Sequence, residues 1–166
     1  MKTNDQKVVF LTKAALIAAV YVVLTMVFAP ISFSEIQIRI SEALTILPMF
    51  TPAAIPGLFV GCLLGNLLSG AALPDVIFGS IATLIGAIGT YLLRKKLPVL
   101  GTLPPILSNT IIVPFVLRYA YQVELPIWIL CLSIAAGEVL SCGVLGMALY
   151  KVLSIRRFAI FGESET

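Results

Sequence analysis

The chain has 166 residues, of which 60% are hydrophobic and 11% charged, with a mean hydropathy of +1.08 and a net charge of +3. Globular domains average roughly 45–50% apolar and 25% charged, so this composition describes an integral membrane protein of one domain rather than a soluble enzyme. The absence of histidine excludes a Ser-His triad, a His-zinc centre and a His proton relay, and no G-x-x-x-x-G-K-[ST] loop cradles phosphate, so the chain is expected to hold no metal or cofactor, to catalyse nothing, and to draw any nucleotide-driven work from a partner.

The first span is predicted over Val8 to Phe28, roughly 31 Å of helix, and Pro30 ends it. Lys2, Lys7 and Lys13 precede or enter this run, which exceeds the 7–15-residue apolar core of a signal peptide and is expected to be retained. Ala14 and Ala18, and also Ala15 and Ala19, are four apart. They make a small-residue face suited to close helix contact, either inside the bundle or against a partner protein. Between Ser32 and Arg39 the apolar pattern breaks, and Ile36, Ile38 and Ile40 alternate with Gln37 and Arg39, the period of an extended segment. This reads as a loop over the outer face of the bundle. A short second helix follows over Ser41 to Phe50, with Ser41 as N-cap and Glu42 in its first turn. Pro48, Pro52 and Pro56 make its end irregular. The third span, Gly57 to Leu68, repeats glycine at 57, 61 and 65 and carries Asn66 near its far end.

Asp75 opens a fourth span that runs to Leu93 and stops at Arg94-Lys95-Lys96. Pro98, Gly101, Pro104 and Pro105 then predict a rigid turn. The fifth span runs from Ile106 to Tyr121 with Asn109 inside it and Pro114 interrupting it, and Gln122 to Pro126 turns the chain into the sixth, Ile127 to Leu153. Cys62, Cys131 and Cys142 all lie in apolar segments and are odd in number, so they read as small core residues. The basic residues test the count. Six crossings place Lys2, Lys7 and Lys13 on the same side as Arg94-Lys95-Lys96 and Lys151-Arg156-Arg157, with both termini cytoplasmic as the positive-inside rule requires. Because most Lys and Arg flank spans in this way, the net charge carries no nucleic-acid signal. The same topology puts Glu35, Arg39, Glu42, Asp75, Arg118 and Glu124 at the outer surface.

Glu138 stands out by depth. At about 1.5 Å per residue it lies roughly 16 Å from Ile127, near the centre of a ~30 Å hydrocarbon layer, where an acidic residue costs about 2.5–3.5 kcal/mol and usually faces a substrate or ion path. Asn109, about eleven residues inward from Ala120, falls at the same depth, so the two can meet. A planar ligand with two adjacent N–H donors, such as the edge of a guanine-like base, would satisfy the Glu138 carboxylate as a bidentate pair while Asn109 serves a ring carbonyl. Asp75, Glu42, Arg39 and Arg118, with Trp128, Tyr119 and Tyr121, form an outer layer suited to gating or to holding a charged substituent. Each has a plainer alternative. Glu138 and Asn109 can simply tie helices together, Arg39 and Glu42 can be a surface pair at i and i+3, Asp75 suits a helix start, and the aromatic residues suit the membrane interface.

Several runs resemble one family. Ala29-Pro30-Ile31-Ser32-Phe33, Ile38-Arg39-Ile40-Ser41-Glu42-Ala43-Leu44-Thr45, Ala54-Ile55-Pro56-Gly57-Leu58-Phe59-Val60-Gly61-Cys62 and Asp75-Val76-Ile77-Phe78-Gly79-Ser80 are similar to the QueT family over about residues 10 to 155. These are the queuosine-precursor-specific S components of bacterial energy-coupling factor (ECF) transporters. The resemblance implies a multi-pass, six-helix bundle in the bacterial plasma membrane that binds a 7-deazaguanine base from outside. It also implies a transmembrane T component and two cytoplasmic ATPases as partners, with Ala14, Ala18, Ala15 and Ala19 matching the small-residue motif that meets the T component. An S component for a different vitamin, a small proton-coupled transporter or channel, and a non-transporting scaffold remain as alternatives.

Overall fold

Apolar residues in long runs can satisfy their backbone polar groups inside a bilayer only by closing i to i−4 ladders within each segment. The computed structural model describes residues 2–28 and 39–156, and all the regular structure there is helical. Of the extended loop expected over Ser32 to Arg39, residues 32–38, Glu35 among them, lie outside the described residues, as does Arg157. In chain order the helices are α1 (Lys2–Val27), α2 (Ile40–Met49), α3 (Ala54–Leu68), α4 (Leu73–Leu92), α5 (Pro98–Tyr119) and α6 (Ile127–Ile155). Asn4–Val27 of α1, α4, α5 and α6 are each long and apolar enough to cross a membrane, whereas α2 and α3 are shorter apolar helices. The architecture is an all-α membrane bundle.

The repeated glycines of α3 find their reason in α1. A Cβ added at Gly57 would sit 2.7 Å from the Ala14 carbonyl oxygen, and one at Gly61 would sit 2.8 Å from the Tyr21 Cβ and 3.1 Å from the Ala18 Cα. Gly65 faces Thr25 in the same way. Position rises together along both helices, so α1 and α3 run parallel, their backbones drawn close by small residues on both sides. Gly61→Leu is expected to force the helices apart at a cost of about 1–3 kcal/mol or more, read as a lower unfolding midpoint in detergent.

Helix α5 begins eight residues before the predicted span. The turn expected at Pro98 to Pro105 is instead the first part of this helix, because Pro98 occupies its opening position, where a missing N–H costs nothing. Pro104 and Pro105 lie inside, against the smooth face that Gly86 and Gly89 give α4. Pro105 cannot bond the Gly101 carbonyl one turn back, and the Thr90 hydroxyl of α4 donates to that oxygen at 2.7 Å. Thr90→Val should therefore leave a buried acceptor unpaired and lower stability by about 1–3 kcal/mol, measured in the same melting assay.

Helix α2 winds as a 3₁₀-helix for ten residues, long for a form usually confined to three or four. Its residues Ser41 to Pro48 are all buried. Ser41 is not the cap: the helix opens at Ile40, and the Thr25 hydroxyl of α1 donates to Ser41 Oγ at 2.9 Å. Glu42 meets Tyr21 of α1, and at the other end Phe50 stacks 5.1 Å from Tyr150 of α6. Neighbouring contacts therefore sort the bundle into layers. Ala14, Gly57, Thr90, Gly101 and Tyr150 lie toward one end, with the N-terminus of α1, Arg94 to Lys96 and Lys151 beyond them. Tyr21, Glu42, Thr83, Asn109 and Glu138 occupy the middle, and Arg39, Asn66, Asp75 and Tyr121 the other end.

Candidate functional site

The winding of α6 changes at its acidic residue. Ile127–Glu138 is regular α-helix, Val139–Leu145 is a π-helix, and regular turns resume at Gly146. Such wide turns are rare and frequently mark functional positions. Glu138 is 4% exposed. Its Oε1 accepts the Asn109 amide N–H at 3.0 Å, and its Oε2 accepts the Cys142 thiol at 3.1 Å. Counting residues along two helices thus placed the Glu138 and Asn109 side chains at one level, and they touch.

A second carboxylate lies beside the first. Glu42, which sequence depth assigned to the outer layer, is fully buried in the middle. Oxygen depth cannot be counted along α2 as along a span, because this short helix opens within the bundle. Tyr21 donates its hydroxyl to Glu42 Oε1 at 2.5 Å, and the Thr83 hydroxyl lies 3.2 Å from the same oxygen. Among the described residues Glu42 Oε2 has no hydrogen-bond partner. One oxygen each of Glu42 and Glu138 and the Cys142 Sγ fall within 4.8 Å of one another. Three such donors fall one short of a structural zinc site, and Cys142 keeps its proton in the bond to Glu138. Acceptors held at fixed spacing suit the N–H groups of an organic ligand better.

At the outer end, Arg39 pairs with Asp75 at 3.3 Å, and both side chains are buried. Tyr121 donates to Asp75 Oδ2 at 3.0 Å and accepts the Ala72 amide at 3.0 Å, and Asn66 donates to the Asp75 carbonyl at 3.4 Å. This network joins the entrance of α2 to α3, α4 and the exit of α5. Burial is the largest influence on Arg39 and lowers its pKa, but Asp75 together with the other acidic groups around it, Glu42 among them, more than offsets burial and holds the guanidinium above its ordinary value. The remaining expected residues lie elsewhere. Arg118 is half-buried and donates to the Val123 carbonyl at 2.9 Å, and Trp128 is 66% exposed on the outer surface of α6. Ala14 and Ala18 are buried against α3, while Ala15 and Ala19 stay exposed.

Sequence reading missed Tyr21, Thr83, Cys142 and the bond from Tyr121. The signal existed for two of them: Cys142 follows Glu138 by four, and Thr83 follows Asp75 by eight, each on one helix face. Two surface hollows, of about 400 Å³ between α4 and α5 and about 560 Å³ on α6, are lined by apolar side chains such as Phe78, Phe115 and Leu132, and neither includes Glu42, Asn109 or Glu138. Apolar walls cannot read hydrogen-bonding edges, so the polar nest is the better candidate.

Comparison with known proteins bears on this geometry. Residues 11–155 match the family described as QueT transporter. The protein named Queuosine precursor transporter QueT from Lactococcus lactis subsp. cremoris (strain MG1363) is 40% identical over 73 residues, 43% of each chain. The match thus spans less than half the length of that curated relative. No solved structure matches. With the family match running from the buried face of α1 to the last turn of α6, and so through every residue of the nest, the chain belongs to the QueT transporter family.

Proposed function

We propose that the chain is the membrane-embedded substrate-binding subunit of an ECF-type importer, taking up a queuosine precursor of the 7-deazaguanine class. The observation that carries this reading is the buried contact between Asn109 and Glu138, midway along the bundle. A carboxylate and an amide side by side match the donor and acceptor edge of a guanine-like ring, and family membership adds the transport function. In this reading Glu138 accepts the two adjacent ring N–H groups and Asn109 serves the carbonyl. Arg39 and Asp75 shape the outer side of the site, Glu42 stands beside Glu138 at its middle, and Arg118 and Trp128 flank its mouth. Both termini face the cytoplasm of a bacterial cell, where a T component docks on the exposed Ala15 and Ala19 side of α1, over the row that also contains Ala14 and Ala18, and two ATPases drive release.

Titrating the purified protein with 7-deazaguanine bases tests the binding role. Saturable binding that guanine-unrelated vitamins do not compete is expected, and preference for another vitamin in a competition panel would overturn the substrate class. Reconstitution separates energy coupling from the proton-coupled alternative: uptake into liposomes should require the T component and ATPases, and proton-driven uptake by this chain alone would exclude an S component.

A further inference from the structure

Arg118 is a cation at the sparsely basic end of the bundle. Apart from Arg39, which pairs with Asp75, the other described basic residues lie toward the opposite end, on the first part of α1, after α4 and on the last turns of α6. Arg118 is half-buried, and one of its nitrogens donates to the Val123 carbonyl at 2.9 Å. Among the described residues no carboxylate forms an ion pair with it. A guanidinium presents five N–H donors in a planar fork that suits phosphate, so most of its donor capacity remains for another acceptor.

The hollow of about 400 Å³ between α4 and α5 reaches the level of this residue. Pro74 and Phe78 form one wall, and Ile111, Phe115 and Tyr119 belong to the other. Arg118 follows Ile111 by seven residues and Phe115 by three, which places it on the same strip of α5. The α5 wall extends from Ile111 to Ala120, about 14 Å at 1.5 Å per residue. Its inner end begins two residues beyond Asn109, in the middle layer of the bundle, so the hollow spans one leaflet of a ~30 Å hydrocarbon layer and stops there. Tyr119, at the outer end, is exposed, as aromatic side chains at the headgroup level are.

We propose that this hollow is a binding groove for an anionic phospholipid, with one acyl chain lying between α4 and α5 and the phosphate accepting N–H groups from Arg118. Both ends of such a lipid are matched. Its chain covers the depth of one leaflet, as the groove does, and its phosphate arrives at the level of Tyr119 and Arg118, where charge-assisted bonds to a guanidinium are strong. A transmembrane helix of another protein fits the groove less well, because it crosses both leaflets while the groove ends at mid-depth. The lipid also accounts for Arg118 standing on the side that the positive-inside rule leaves poor in cations. This assignment is independent of what the polar nest binds.

Tryptophan quenching by lipids brominated on their acyl chains tests the assignment in reconstituted bilayers of the full chain. The chain has one tryptophan, Trp128, so Trp128→Phe combined with Phe115→Trp reports from the groove, and Trp128→Phe combined with Val23→Trp reports from the exposed face of α1. In the groove, brominated phosphatidylglycerol should associate about fivefold more strongly than brominated phosphatidylcholine, the increment of one basic residue beside anionic lipid. At position 23 the ratio should stay near one. Adding Arg118→Gln should bring the groove ratio below about threefold while both lipids still quench. A groove ratio below about threefold with Arg118 in place would overturn the proposal, and so would a ratio that Arg118→Gln leaves above that value. A groove reporter shielded from both lipids, as a second copy seated on α4 and α5 would shield it, also counts against it. If Arg118→Gln does not fold, the two reporters decide, because a preference as strong at position 23 as in the groove belongs to the whole surface and overturns the assignment.

Discussion

Replacing Arg39 by methionine should destabilise the protein by about 3–5 kcal/mol, because it strands a buried carboxylate without its counter-charge. Asp75 is 1% exposed and pairs with Arg39 at 3.3 Å, and its other oxygen contacts are single hydrogen bonds from neutral groups. Asp75→Leu should cost a similar amount by removing the negative charge that faces the buried guanidinium. Removing both charges together, with Arg39→Met and Asp75→Leu, should recover most of the loss, since a buried ion pair replaced by apolar groups of similar volume is often neutral. Unfolding midpoints of the four proteins in one detergent form a double-mutant cycle. Coupling near zero would mean that the two side chains meet without stabilising each other. The pair sits at the entrance of α2, so its loss also removes the tie between that helix and α4.

Sequence depth counting succeeded where a helix enters the membrane from a clear polar boundary. Glu138 and Asn109 sit on two such helices, and they meet at 3.0 Å. It failed for Glu42, because α2 begins within the bundle and rises about 2.0 Å per residue as a 3₁₀-helix, so distance from the nearest polar residue carries no depth. The prolines of α5 misled for a related reason. Pro98 reads as a breaker in isolation, yet it opens a helix, and the carbonyl that Pro105 abandons is repaired by Thr90 from another helix. Such a tertiary rescue leaves no trace in local sequence. The π-turn after Glu138 was equally invisible, since no residue between Val139 and Leu145 demands it. The Ala14 and Ala18 face was legible as a packing face but not as to its partner. The three facing glycines of α3 supply that partner within the chain.

Glu138→Gln should weaken binding of a 7-deazaguanine base at least about a hundredfold, equivalent to about 2.7 kcal/mol, while leaving stability unchanged or slightly raised. The carboxylate offers acceptors to two ligand N–H groups, each charge-assisted bond contributing about 1.5–3 kcal/mol. The glutamine amide keeps one acceptor and turns a donor toward the second N–H, so one bond weakens and the other becomes a clash. Folding responds in the opposite direction. An acidic residue at mid-membrane depth opposes insertion by about 2.5–3.5 kcal/mol, glutamine opposes it less, and its amide can still exchange a hydrogen bond with Asn109. Titration and melting of the same purified variant therefore separate the two roles open to this residue. A binding group gives lost affinity with stability kept, whereas a carboxylate that only ties α5 to α6 gives lost stability with affinity kept, and the second pattern would remove Glu138 from the site.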